Sequence, residues 1–364
     1  MHIWVEPFVV HKQVPLTISR GTTAQSTNLW LRLEHDGIEG WGEASPFAVR
    51  GIMQTTEAIA QSLQSVIPHL QAYTPFDRQA IEQCCEQHAV LSAARSALDM
   101  ALHDWLGRAL GQPLWKLWGL ECSRIVPTSV TVGINTPEAA RHRLEQWLTV
   151  AAIKAVKIKL GSPAGLEADR AMFEAVMQAV PAGAKVSVDA NGGWTLDGAI
   201  AMTHWLAERG VTYLEQPLPE GQEADLPALY RVSPLPLFVD ESCFDRRDIP
   251  KLSDRVHGIN IKLMKSGGLS EALRMIHTAQ AHGLQIMFGC YSDSALANTA
   301  AAHLAPYATH LDLDSHLNLR DDPFTGATLH EGRLIPPDKP GLGVSVTLSN
   351  LHPPISDAQS PTPV

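Results

Sequence analysis

The chain is predicted to be an α/β protein, a (β/α)₈ barrel of the TIM type preceded by an N-terminal α+β unit. Three observations carry that prediction. Eight short β-rich runs, residues 128–133, 154–160, 185–190, 211–216, 236–241, 257–263, 285–289 and 309–314, alternate with longer amphipathic stretches. Such alternation implies a parallel sheet, and eight units imply that it closes. Polar residues near the strand ends are evenly paced, with 26 residues from Asp189 to Glu215, 25 from Glu215 to Asp240 and 25 from Asp240 to Lys265, so each step fits one βα unit. The length of 364 residues exceeds the roughly 250 of such a barrel by about a hundred, enough for a second unit.

That second unit is read from residues 1–120, with the barrel over 121–320 and a C-terminal segment, 321–364, returning to the N-terminal unit. Residues 28–35 and 38–43 alternate in strand fashion around Asp36-Gly37, a hairpin signal. Residues 54–67 and 89–110 read as helices. In the second, Leu91, Ala94, Leu98, Leu102 and Leu106 recur at helical spacing, and Gly111 stands where the helix would end. Asp99 and His103, four apart on that helix, are read as a helix salt bridge rather than as metal ligands. Beyond residue 320 the barrel pattern stops. Residues 326–348 read as a hairpin packing back on the N-terminal unit, and the Pro- and Ser-rich stretch 352–364 as a loose tail.

Composition narrows the function classes. Hydrophobic residues at 45% and charged residues at 18% support a large core. A net charge of −10 speaks against nucleic acid or an anionic membrane as partner. No apolar run approaches the ~18 residues of a membrane span, and Met1-His2-Ile3-Trp4-Val5-Glu6 lacks the start of a signal peptide. The protein is therefore read as soluble and cytoplasmic, and nothing in the sequence opposes a homo-oligomer. The five cysteines, an odd number with two adjacent and none at zinc-site spacing, are read as free thiols. The 16 histidines form no His-Glu-x-x-His pattern.

Barrel enzymes carry their chemistry at the C-terminal ends of the strands. Side chains alternate between faces, so in residues 155–160 Lys157 and Lys159 point into the barrel while Val156, Ile158 and Leu160 meet the helices. The same parity aims Asp189, Asn191, Glu215, Asp240, Asp312 and Asp314 inward. So many buried carboxylates need a counter-charge, and a hard cation with oxygen ligands supplies it. Asp189, Glu215 and Asp240, on three successive strands, are the expected Mg²⁺ ligands, and a buried ion-pair network that only holds the barrel is the competing reading. Lys159 and Lys265 should approach from opposite sides as general acid/base groups. Strict alternation puts Asn260 and Lys262 inward and Lys265 outward, so Lys265 reaches the site only if the chain bends after Leu263. Ser266-Gly267-Gly268 makes room for that bend.

Lys157-x-Lys159, Asp189-x-Asn191, Glu215-Gln216-Pro217, Asp240-Glu241-Ser242 and Lys262-x-x-Lys265-x-Gly267-Gly268 together resemble the motif set of the muconate-lactonising subgroup of the enolase superfamily. Gly40-Trp41-Gly42-Glu43-Ala44 and the helix around 93–107 resemble its N-terminal capping domain. The resemblance covers nearly the whole chain. It implies a cap whose loops close over the substrate, one Mg²⁺ per site at Asp189, Glu215 and Asp240 (with Mn²⁺ able to substitute), and Lys159 and Lys265 as the two acid/base groups. It places Lys157 near the substrate carboxylate, with Asn191 and Lys262 behind the ligands. The reaction implied is proton transfer at the carbon next to a carboxylate, through an enolate that the metal stabilises.

Within the subgroup, Asp312-Leu313-Asp314 resembles the Asp-x-Asp of the dipeptide epimerases, where the acids hold the free ammonium of a dipeptide. A buried ammonium needs an anionic partner, and a muconate or a succinylated amino acid has no such cation. The expected substrate is therefore a dipeptide. By the same resemblance the loop around Arg20 and Gly21 is shortened, with Gly21 where the Ala-Glu enzymes carry an arginine, which speaks against acidic specificity. Asp293, after strand seven, is either a substrate neighbour or a loop cap. The alternatives are an o-succinylbenzoate synthase, an N-succinylamino acid racemase or a muconate cycloisomerase on the same scaffold. An acid-sugar dehydratase is disfavoured because residues 285–289 carry no histidine base, and a non-catalytic binding barrel because the carboxylate and lysine sets are complete.

Overall fold

In the computed structural model, which describes residues 1–49 and 51–347, the eight β-rich runs form one parallel sheet. Its strands are Val130–Val132, Ala155–Lys159, Lys185–Asp189, Val211–Glu215, Leu237–Val239, Gly258–Ile261, Gln285–Gly289 and His310–Asp312, each bonded to its neighbours in chain order. A parallel bridge between Thr128 and Leu311, with Ser129 N donating to Leu311 O at 2.8 Å, joins the last strand to the first. The register puts Lys159 beside Asp189 and Asp189 beside Glu215, while Phe238 lies beside Glu215 and Asp240 two residues further on. One end of the barrel thus gathers the charges. Below them the interior is filled by Tyr213, Phe238 and Met287, with the His310 ring 4.2 Å from that of Tyr213. The outward residues Val156, Ile158 and Leu160 are buried under the helices, as alternation predicts.

The cap is an antiparallel sheet of His2–Ile18, Gly21–His35 and Ile38–Ala44, followed by helices Thr56–Leu70, Arg78–Gln87 and Ser92–Ala109. Asp36 and Gly37 both have positive φ, 53° and 73°, and close the predicted hairpin as a two-residue turn. The long first strand and the helix Arg78–Gln87 go beyond the sequence reading. Asp99 and His103 do pair as their spacing predicts, with Nδ1 3.5 Å from Asp99 Oδ1, a bridge that is charged only when the histidine is protonated. Burial lowers the His103 pKa, its Nδ1 bonds the Asp99 carbonyl at 2.8 Å, and its Nε2 lies 2.7 Å from the Arg78 guanidinium.

The predicted C-terminal hairpin is shorter than residues 326–348: Thr328–His330 pairs with Arg333–Ile335, while Ser345–Val346 pairs with Phe324–Thr325. This segment does pack on the cap. The Phe324 ring sits 5.7 Å from Phe8 and 6.1 Å from Trp41. Asp104 accepts from Leu342 N at 2.7 Å, and Gln112 O from Gly341 N at 3.0 Å. The tail 352–364 lies outside the described residues. All five cysteines are free, and among the described residues no helix is long and apolar enough to cross a membrane.

Candidate active site

The barrel mouth brings together the charges that parity aimed at it. Asp189 accepts from Lys159 Nζ at 2.5 Å, and Asn191 orients it through its backbone N–H at 2.7 Å and its side-chain amide at 3.1 Å. Glu215 accepts from Asn260 Nδ2 at 2.6 Å and faces Lys157 Nζ at 2.6 Å. Asp240 is gripped by Lys262 and Lys265, each at 2.7 Å. Asn191 and Gln216 follow the first two carboxylates with φ of 43° and 36°. Such backbone is uncommon outside glycine and gathers at functional sites. Gln216 uses it to bond both Asp240 N (2.9 Å) and Ser242 Oγ (2.9 Å), fixing the end of the fifth strand.

Lys265 escapes its outward parity through one helical turn, Leu263–Ser266. Gly267, at φ 97°, ends that turn in a conformation only glycine adopts freely. The turn swings Lys265 back so that its fully buried ammonium bonds Asp240 Oδ1 and, at 3.1 Å, Asn260 O. Lys159 and Lys265 therefore stand at the two ends of the arc Asp189, Glu215, Asp240.

As they stand, no three acid, histidine or cysteine side chains among the described residues converge on one point where an ion could sit, because each carboxylate turns towards a lysine. The donor set nonetheless fits a hard divalent cation. Every ligand candidate is an oxygen, and the unpartnered buried side-chain atoms beside the arc are acceptors too: Asn191 Oδ1, Glu241 Oε2 and Asn260 Oδ1. Burial first, and Asp189 second, push the Glu215 carboxyl up to about 7. This is the mark of carboxylates crowded without enough positive charge. Burial works against the charged form of Asp240 as well, but Lys262 and Lys265 hold it well below the usual carboxylate range.

Across the mouth, Asp312 and Asp314 differ. Asp312 has both oxygens engaged, one by Lys157 Nζ at 2.6 Å and the other by Ser129 Oγ at 2.7 Å. Lys157 thus lies between Glu215 and Asp312. Asp314 accepts from Thr131 N at 2.6 Å and makes no ion pair among the described residues. Burial first, then Asp312, push it up to about 6.

Arg20 sits in the two-residue turn between Ile18 and Gly21 and reaches down to Glu241 Oε1 (2.7 Å) and Asn191 O (2.9 Å). Gly21 is exposed and brings no side chain to the mouth. Asp293 caps its own loop, accepting from Tyr291 N at 3.1 Å, and also accepts from the cap's Ser45 Oγ. Sequence reasoning missed several neighbours. Tyr291 is stacked on Phe47 of the cap at 4.9 Å, its ring lies 4.5 Å from Lys262 Nζ, and its buried hydroxyl has no hydrogen-bond partner among the described residues. Glu241 stood within a quoted motif, and its adjacency to Asp240 was the available signal. A 260 Å³ chamber opens beside Lys159, Asp312 and Asp314, walled by Leu16, Ile134 and Trp147 and by Lys12 and Arg143.

Residues 3–119 match the mandelate racemase/muconate lactonizing enzyme N-terminal domain, and residues 139–350 the enolase C-terminal domain-like family. Over 333 residues the chain is 44% identical to a hydrophobic dipeptide epimerase of Flavobacteria bacterium (strain MS024-2A), covering 91% of this chain and 94% of that one. Over 335 residues it is 45% identical to a protein of the same name from Roseobacter litoralis, covering 91% and 95%. Among solved structures, a substrate-liganded L-Ala-D/L-Glu epimerase from Bacillus subtilis superposes with a TM-score of 0.88 at 29% identity, over 94% of this chain and 98% of that one. A dipeptide epimerase from Enterococcus faecalis V583, complexed with Mg and L-Leu-L-Tyr, superposes with a TM-score of 0.87 at 30% identity, over 94% and 98%.

Proposed function

The chain belongs to the mandelate racemase/muconate lactonizing enzyme group of the enolase superfamily, and from that premise we propose that it is a dipeptide epimerase. It inverts the carbon next to the dipeptide's carboxylate by 1,1-proton transfer. The observation that carries this reading is the geometry of the mouth. Two buried lysines stand at opposite ends of a carboxylate arc, and Asp314, an acid with no ion pair among the described residues, shares a chamber with Lys159. The names of the relatives at 44% and 45% identity support it, and so do the neighbours solved with bound dipeptides.

Asp189, Glu215 and Asp240 would hold one Mg²⁺, with Mn²⁺ as a substitute. When bound, the ion offsets the negative charge that grows on the substrate carboxylate as the α-proton leaves. The chain's own residues do the rest. One of Lys159 and Lys265, as the neutral amine, takes the proton and becomes an ammonium. The other, already an ammonium, delivers a proton to the opposite face, so the centre inverts and the two lysines exchange states. Asn191 and Gln216 keep Asp189 and Asp240 in place, and Asp314 receives the substrate's ammonium. Lys157, paired with both Glu215 and Asp312, places a positive charge near the substrate carboxylate. Residues 1–120 act as the cap and 121–320 as the catalytic barrel. Leu16, Ile134 and Trp147 give the chamber apolar contacts beside its charged and polar lining, and the free thiols suit a reducing cytoplasm. The testing experiment is incubation of a dipeptide library in D₂O with Mg²⁺. Deuterium should enter the α-position of the second residue of free dipeptides. Faster exchange of N-succinyl amino acids than of any free dipeptide would replace this reading with the racemase or synthase one.

A further inference from the structure

Lys12 is buried, only 4% exposed, and its ammonium has no hydrogen-bond or ion-pair partner among the described residues. It belongs to the cap's first strand, at the point where pairing with the second strand is interrupted between His11 and Leu16. Its backbone there bridges to Leu319 instead. A buried cation with no carboxylate in contact is costly, and this one lines the substrate chamber. A second cation shares that chamber. Arg143 lies over the Trp147 ring at 4.1 Å and, among the described residues, bonds only neutral groups, Asn318 Oδ1 at 2.8 Å and Gln146 Oε1 at 3.4 Å. Burial lowers the pKa of both, and Asp314 opposes that shift for each, as Cys290 and Asp293 do for Lys12. Burial pushes the Cys290 thiol up to about 12, so it stays neutral. Asp293 is already engaged by Ser45 and Tyr291 N.

We propose that Lys12 and Arg143 make the pocket for the side chain of the dipeptide's first residue cationic, so that the enzyme accepts neutral or acidic first residues and rejects basic ones. This rests on the dipeptide reading and refines its substrate class. The first residue is the one concerned because its side chain leaves the carbon that carries the ammonium held by Asp314. Once that ammonium neutralises Asp314, no acid in the chamber offsets the two cations. A lysine or arginine side chain then meets like charge with little water to screen it, whereas an acidic one gains a partner. Among the described residues that line the chamber, the one other acid, Asp312, is already spent on Lys157.

The test is a set of dipeptides sharing a second-position leucine and differing only in the first residue: norleucine, lysine, glutamine and glutamate. Deuterium exchange is followed by mass spectrometry. The parent should use norleucine at least tenfold better than lysine, its charged counterpart of similar length, in kcat/KM, and glutamate at least as well as glutamine. Lys12→Met should raise the lysine-to-norleucine ratio at least tenfold, and Arg143→Gln should raise it independently. The parent comparison needs no variant to fold. Equal use of lysine and norleucine by the parent, or variants that change both substrates alike, would overturn the charge proposal while leaving the dipeptide reading intact. If no free dipeptide exchanges at all, both fall.

Discussion

Replacing Asp314 by asparagine removes one charge from the barrel mouth and little else. The side chain keeps its shape, and its amide oxygen can still accept the Thr131 N–H that Asp314 takes at 2.6 Å. Asp314 is only 6% exposed and has no cation in contact among the described residues, so its charge is free for the substrate ammonium. Truncating one partner of a buried charge pair costs about 2–5 kcal/mol. At about 1.4 kcal/mol per factor of ten, kcat/KM for a free dipeptide should fall roughly 30- to 4,000-fold. Affinity for Mg²⁺, measured by calorimetry, should not change, because Asp314 lies outside the arc Asp189, Glu215, Asp240. The pH profile gives a second readout. Burial and Asp312 push Asp314 up to about 6, so its charge is lost as pH falls through that value. The parent's kcat/KM should decline there, and Asp314→Asn should lack that limb. Its effect on stability has the opposite sense. A carboxyl with a raised pKa contributes stability that is full below the ordinary carboxylate range and is lost as pH rises through about 6. A loss of less than threefold on free dipeptides, with the pH limb retained, would refute the assignment of Asp314 to the ammonium.

Chelation should abolish turnover and Mg²⁺ restore it, and Asp240→Asn should weaken metal binding measured directly by titration; full activity in chelator would exclude the ion. Lys159→Ala should stop α-proton exchange from one stereoisomer and Lys265→Ala from the other, each by roughly 10²–10⁴-fold. Loss of exchange from the same isomer in both variants would exclude two-sided chemistry. Gly42→Ala should destabilise the protein by about 1–3 kcal/mol in denaturant melts. An added methyl there would come within 1.9 Å of the Ala97 carbonyl on the cap's long helix, and an unchanged midpoint would show that the sheet and helix can slide apart.

The barrel was legible because a parallel strand buried on its outer face writes its parity into the sequence. In residues 155–160 every second residue is apolar, and the structure buries those residues as alternation requires. The mouth was legible for the same reason, with Lys265 the exception. A period-two rule cannot foresee a single helical turn, although Gly267 marked where the rule would break. The cap was read less fully. Within Arg78–Gln87 only Ile81, Cys84 and Cys85 are buried, too few to fix a helical period. Lys12 and Arg143 could not be read at all. One belongs to the cap and the other to the helix after the first barrel strand, and only tertiary packing sets them in one chamber. Spacing paired Asp99 and His103 correctly, but it carried no information about the burial that lowers the histidine's pKa.

The contacts of Asp104 bear on the order in which the chain is finished. This buried carboxylate, in the middle of the cap's long helix, accepts from Trp41 N at 2.9 Å, from Arg108 Nε at 3.0 Å and from Leu342 N at 2.7 Å. Two of these partners are made early in translation and the third very late. The ribosome completes the cap's sheet and helices first, yet the last donor to Asp104 emerges only after all eight barrel strands. Until then Asp104 can have at most two of its three donors. The earliest part of the molecule to be synthesised is thus among the last to be sealed, and a chain truncated before residue 342 would lose stability in its N-terminal third.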